Sequence, residues 1–200
     1  MRSWLDPVAD YLAQAAELEA ASVFAFRQLA RDLEAHRAPR PLVRAARRAA
    51  QDERHHTRIV GALARRFGAR YDAPSVALTG ARPLETLVSE NAVEGCVRET
   101  FGALVATFQA TRSSDPAVRG VMARIARDET RHAALAWRIA RWAEPRLDRS
   151  TRARTAAARS QAIAELVAPT GEPAPELVHV LGLPTRAESA ALGACLRTLT

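Results

Sequence analysis

Residues 52–56 read DERHH, and 76 positions further on residues 128–132 read DETRH: one frame of Asp, Glu, two other residues and His. Both lie in long Ala-, Leu-, Val- and Arg-rich stretches whose apolar residues recur in steps of three and four, which is helix spacing. Glu and His at i and i+3 share one face of a helix. In the first stretch that face reads Ala46, Ala49, Glu53, His56, Val60, Leu63; in the second, Val118, Met122, Ile125, Glu129, His132, Ala136, Ile139. Each charged pair therefore interrupts an apolar stripe. That predicts buried charge, and something to hold it.

Working outward, four long helices are expected. The first runs from about Pro7 to Ala35 on Leu12, Ala16, Val23, Phe26, Leu29 and Leu33. Pro39 and Pro41 break it and open the second, Pro41 to Phe67, which Gly68 ends. Residues 69–82 carry Pro, Gly and Asp without periodicity and read as a connection. The third helix spans Pro83 to Thr111 on Leu87, Val97, Phe101, Leu104 and Phe108. The fourth starts at Asp115 as N-cap with Pro116 behind it, and ends near Ala143. Short turns make each neighbouring pair an antiparallel hairpin. The 14-residue connection 69–82 reaches roughly 45 Å extended, and a 25-residue helix is roughly 38 Å long. It can thus return along the helices and set the second and third parallel; an up-down-up-down order is the alternative. The domain reading is a bundle over residues 1–146 and a C-terminal helical extension over 147–200 packing on it. In that extension, residues 147–167 form a fifth helix, APTGEPAPE is a turn-rich linker, and Thr185 to Glu188 is a capping box opening a terminal helix. The tail either caps the bundle or mediates self-association as a homodimer.

Two hundred residues suit one domain with a sizeable core. No apolar run is long enough to span a bilayer, so no membrane association is expected. The N-terminal MRSWLDPVADYLAQ has no continuous apolar segment, so a secretory signal is not expected either. Cys96 and Cys195 are the two cysteines and no C-x-x-C occurs, which excludes a disulfide framework and a rubredoxin-type or zinc-ribbon site. A cytoplasmic protein is expected. Net charge is +7, with 29 basic residues that are all Arg. Such exclusivity beside abundant Ala reads as codon bias, and an Arg-rich outer face is usually solvated; nucleic acid is not the expected partner.

The other two helices carry carboxylates on their inner lines: Leu12, Ala16, Glu19, Phe26 in the first, and Leu87, Glu90, Glu94, Val97, Phe101 in the third. Residues equidistant from a hairpin turn lie side by side, and this puts Glu19 beside Glu53 and Glu94 beside His132. Four carboxylates in one plane bring about −4 of charge, and each unpaired buried ion costs several kcal/mol. Few Arg residues lie on these lines. Two divalent ions would neutralise the set, so a dinuclear metal site is predicted, with Glu19, Glu53, His56, Glu94, Glu129 and His132 as ligands and as the catalytic group. Its oxygen-rich, thiolate-free donors suit iron, manganese or a mixed pair. Glu90 and Glu99 remain alternatives on the third helix, Glu99 as an extra ligand or proton relay. Asp52 and Asp128 point toward neighbouring helices and are expected to accept the free ring N–H of His132 and His56, respectively, which fixes the tautomer.

The order Glu19, Glu53-x-x-His56, Glu94, Glu129-x-x-His132 resembles the ferritin-like di-iron carboxylate superfamily over about residues 8–143. DETRH also looks like the D-E-x-R-H motif of bacterial multicomponent monooxygenases, from which DERHH departs with His55 in place of Arg. LEAASVFAF, EGCVRET and DETRHAALAWR are similar to bacterial ferritin-like domain proteins of unassigned function; many of those carry His where this chain has Ala20. The resemblance implies an all-α, ferritin-like four-helix bundle with a long crossover and two iron ions. It further implies a rubrerythrin-like oxidoreductase reacting with O2 or peroxide, fed by an external electron donor because no rubredoxin module is present. The same fold serves other ends, so ferroxidation with iron storage, and a non-catalytic scaffold or nucleic-acid-binding module, are the alternative expectations.

Overall fold

The computed structural model describes residues 6–168 and 171–199. Residues 1–5 of the N-terminal stretch, and Pro169 and Thr170 of the linker, lie outside the described residues. The chain is all-helical, with no strand among the described residues. Helix α1 (Asp6–Ala35) is antiparallel to α2 (Arg40–Arg66). A third rod follows in three parts: α3 (Leu84–Glu90), a π-helical segment (Asn91–Glu99) and α4 (Thr100–Arg112). It is antiparallel to α5 (Pro116–Ala143). These bounds match the periodicity within a residue or so. The π segment does not follow from it.

The turns obey local chemistry. After α2, Gly68 takes φ +95°, a left-handed conformation that costs a glycine little. The Asp115 carboxylate accepts from the backbone N–H groups of Ala117 and Val118 at 2.8 and 3.3 Å, capping α5. Arg66 reaches the same carboxylate with two bonds of 3.0 and 2.7 Å, tying the end of α2 to the start of α5.

Residues 67–83 run lengthwise back along α1. The Asp72 N–H donates to Glu17 (3.4 Å), and the Thr79 N–H to Gln28 (3.0 Å). Both the N–H and the side chain of Arg82 donate to Asp32, at 3.0 and 2.8 Å. His36 pairs with the Arg82 carbonyl at 2.8 Å. The connection thus ends beside the α1–α2 turn, and the third rod starts there, parallel to α2. Asp32 is fully buried, and its carboxylate anchors the return with three hydrogen bonds, the third from Gln28 at 2.9 Å.

Two apolar cores fill the interior. One gathers Leu12, Val60, Leu63, Val118, Met122 and Ile125; the other gathers Phe26, Leu33, Leu42, Leu87, Leu135 and Ile139. Between them, along every helix, lie the carboxylates and imidazoles.

The tail forms α6 (Arg149–Val167), α7 (Pro175–Leu181) and α8 (Arg186–Cys195). Helix α7 falls within and beyond the segment read as linker, and it docks on the α4 end: Gln109 donates to the Leu181 carbonyl (3.1 Å) and Ser113 to that of Val180 (2.6 Å). The Thr185–Glu188 capping box opens α8. Helix α6 covers the third rod, where Ala162, Ile163, Leu166 and Leu196 pack on Val97, Phe101 and Leu104. The stripe read as facing the bundle interior therefore faces the tail over residues 97–104. No helix among the described residues is long and apolar enough to cross a membrane.

Candidate metal centre

Helix α1 brings Glu19, α2 brings Glu53 and His56, and α5 brings Glu129 and His132 to one level between the two apolar cores. The fourth wall is a correction to the sequence expectation. Glu94 has a half-exposed side chain and pairs with Arg98 at 3.0 Å. Glu90 pairs with Arg82 at the surface. Glu99, the last residue of the π segment, points inward instead, 3.6 Å from His132 Nδ1. A π turn closes i→i+5 rather than i→i+4, so the phase of the rod changes between residues 91 and 99. That turns the Glu99 face toward the bundle and hands the Val97–Phe101–Leu104 stripe to α6.

Two signals for Glu99 were present in the sequence. It and Glu129 are equidistant from residue 114, in the middle of the turn. It also shares a face with the small residues Ala103 and Ala106, which are buried. Gly95 permits the close approach of the π segment to α5: a Cβ there would lie 2.7 Å from that of Ala136.

The donors fall into two overlapping sets. Ligand atoms of Glu19, Glu53, His56 and Glu129 lie within 4.8 Å of one another, and so do those of Glu53, Glu99, Glu129 and His132. Glu53 and Glu129 belong to both. His56 Nδ1 is 3.3 Å from Glu19, 3.6 Å from Glu53 and 3.4 Å from Glu129. His132 Nδ1 is 3.0 Å from Glu53 and 3.6 Å from Glu129. Close as they are, both Nδ1 atoms are buried and out of line for any hydrogen bond, as is Glu99 Oε2. Buried polar atoms are rarely left so. Lone pairs converging from two sets on two points are what a pair of cations needs.

The opposite ring nitrogens face the two aspartates. His56 Nε2 hydrogen-bonds Asp128 at 3.1 Å, as the motifs predict, whereas His132 Nε2 lies 3.5 Å from Asp52 and, though buried, makes no hydrogen bond. A ring that donates from Nε2 keeps Nδ1 free for a cation. Arg131 spans both aspartates, donating to Asp128 and, at 3.3 Å, to Asp52. The reading of the motifs assigned Arg131 no role; its position three residues after Asp128 was the available signal. His55, its counterpart in the first motif, is off the cluster and takes a bond from Arg58.

The electrostatics are those of a cluster neutralised by protons. Burial raises Glu19 to about 8, helped by neighbouring Glu53, and burial raises Glu99 well above the usual carboxylate range. Glu53 and Glu129 are held low: burial opposes this, but His132 and His56 beside them prevail. For the imidazoles burial would lower the values, yet the surrounding carboxylates outweigh it. His56 is raised strongly by Glu129, Glu19 and Glu53, and His132 is pushed up to about 12 by Glu129, Glu53 and Glu99. Protons held by the raised groups, Glu19, Glu99, His56 and His132, offset the charge of the cluster, and two divalent cations in their place would do the same, so the residues fit such a pair.

Two cavities reach the carboxylates of the cluster, and a third, of about 230 Å³, meets His132 from the side of Asp52 and Arg131. One of about 350 Å³ opens toward Glu19, Glu53, Glu99 and Glu129 between α1 and the third rod, with Val60, Val105 and Met122 in its wall. Tyr11 also lines it, its phenol raised by burial and by Glu19. A smaller one, about 70 Å³, touches Glu99 and His132 and is walled by Phe26, Leu29, Leu87 and Leu135. Cys96 is fully buried outside the cluster, and burial raises its thiol to about 11. Comparison of the chain with protein-family models, with curated proteins and with solved structures finds no match.

Proposed function

We propose that this chain is a ferritin-like four-helix bundle holding two iron ions, and that it acts as a non-haem di-iron oxidoreductase on O2 or peroxide. The observation that carries this reading is the pair of donor sets sharing Glu53 and Glu129, each completed by one imidazole and one further carboxylate. Glu19 and His56 would serve one ion, Glu99 and His132 the other, and Glu53 and Glu129 both. Manganese suits the same donors. The ions, when bound, would supply reversible one-electron chemistry and a Lewis-acidic face.

The protein's own part is positioning and protons. Asp128 orients the His56 ring, Asp52 lies 3.5 Å from that of His132, and Arg131 holds both aspartates in place. Apolar walls on both cavities limit water and favour a small uncharged oxidant or substrate. Glu99, whose Oε2 is buried and without a hydrogen bond, can hold a proton while the site is empty and yield it when an ion takes its place. With no C-x-x-C pair for a second iron centre, reducing equivalents would come from a separate donor.

Anaerobic titration of the metal-free protein with ferrous iron should saturate near two ions per chain, and exposure to oxygen should then develop a ferric absorption band. Glu53→Ala and Glu129→Ala each remove a donor common to both ions and should abolish that stoichiometry. Iron uptake by either variant equal to the parent's would disprove the reading.

A further inference from the structure

A second built cavity lies away from the metal centre. Helix α6 leans on the third rod and leaves a space of about 250 Å³ between itself and α5. Three guanidinium groups line it: Arg141 from α5, and Arg152 and Arg159 from one face of α6. Glu144 is the one carboxylate among its lining residues. The ion pairs of the described residues draw on none of these three arginines. Thr155, only 8% exposed, lines the same space, and its hydroxyl has no hydrogen-bond partner. The Nε–H of Arg159 is likewise buried and unpartnered. The Arg159 guanidinium is stacked 4.9 Å from the Trp137 ring, which fixes its plane. Val88, Ala92, Ala140 and Leu147 make an apolar part of the wall, beside Asn91.

Guanidiniums without an ion-pair partner line one space with two orphaned buried donors, the Arg159 Nε–H and the Thr155 hydroxyl, and an anion would satisfy them. Arg152 spends its Nε–H on the Asp148 carbonyl at 3.5 Å and keeps its terminal nitrogens. We infer that this cavity binds a small organic anion, its carboxylate or phosphate headgroup on Arg159, Arg141, Arg152 and Thr155 and its apolar body against Val88, Ala92 and Leu147. Guanidinium matches either headgroup through paired N–H donors. The volume admits a body of several carbons, which Val88, Ala92, Ala140 and Leu147 can cover. The inference stands apart from the metal assignment, since no residue named for the ions lines this cavity.

The test is calorimetric titration of the full-length protein with two probes, hexanoate for the headgroup with a body and inorganic phosphate for the headgroup alone. Hexanoate should bind saturably and weaken as salt is raised. Arg159→Gln should weaken it roughly ten-fold, the scale of a lost charge-assisted bond, and Thr155→Val by less while leaving the melting temperature unchanged or higher. Arg141→Gln, an exposed position on another helix, should reproduce the loss if Arg159→Gln does not fold. Phosphate that displaces hexanoate supports the shared headgroup site; phosphate that binds the more tightly identifies the phosphate-bearing source. Glu53→Ala should bind hexanoate as the parent does, and loss of binding there would assign it to the ions and overturn the inference. Absence of saturable binding by both probes, or arginine variants that bind as the parent does, would overturn it equally.

Discussion

At the scale of single residues, the centre depends on which carboxylate completes the ring. Glu99 lies 3.6 Å from His132 whereas Glu94 pairs with Arg98 at the surface. Glu99→Ala is therefore expected to lower ferrous uptake from about two ions per chain toward one, and Glu94→Ala to leave it unchanged, read by metal analysis after anaerobic loading. Asp128 acts one step behind. It holds the Nε2 side of His56, so Asp128→Asn should weaken iron binding by roughly ten- to a hundred-fold, measured by competition with a chelator. A structural role alone would lower the melting temperature of the metal-free protein and leave the affinity of the folded fraction intact. Because the raised groups of the cluster hold protons, metal uptake should release protons, which a weakly buffered titration detects.

At the scale of elements, the cap of α5 and the π segment carry the predictions. Asp115 is held below its ordinary range, first by Arg66 and then by the backbone N–H groups of Val118 and Ala117. A depressed carboxyl contributes stability above its unfolded value and loses it as pH falls through the folded one, so this contribution fades below about pH 4. Asp115→Ala should cost about 1 kcal/mol by urea denaturation at neutral pH. Asp115→Asn keeps a capping oxygen and should remove this group's share of the acid-side loss. In the π segment, Gly95→Val would drive a side chain into Ala136 and Asn91, at 2.7 and 2.9 Å from the first added carbon. Overpacking of that kind costs roughly 1–3 kcal/mol, and because Glu99 ends the same segment, iron uptake should fall with stability.

At the scale of the whole molecule, the return of residues 67–83 along α1 decides which hairpin faces meet. Its anchor is Asp32, fully buried and bonded to Gln28 and to Arg82 twice over. Removing one partner of a buried pair leaves the other uncompensated. Asp32→Ala should cost about 3 kcal/mol, less whatever Arg82 regains from Glu90, measured as a shift in the urea midpoint. The tail has a matching global role, since Ala162, Ile163 and Leu196 cover an apolar face of the third rod that would otherwise meet solvent.

Much of this was legible in the residues themselves. The helices, their Pro, Gly and Asp boundaries, the two Glu-x-x-His groups and the Asp128–His56 bond all rest on short-range periodicity and on hairpin registration, which sequence carries directly. Glu19, Glu53 and Glu129 followed from the same arithmetic. The exchange of Glu94 for Glu99 did not, because one π turn alters helical phase at small local cost, so the apolar stripe of the third rod pointed to Glu94 while only the registration with Glu129 favoured Glu99. Nor could the stripe Val97–Phe101–Leu104 announce its partner: an apolar face looks the same whether a bundle or a tail helix will cover it. Sequence determined the elements and most of the carboxylates and imidazoles that gather between the two cores; only tertiary packing, by giving the third rod two buried faces, decided which of its carboxylates looks inward.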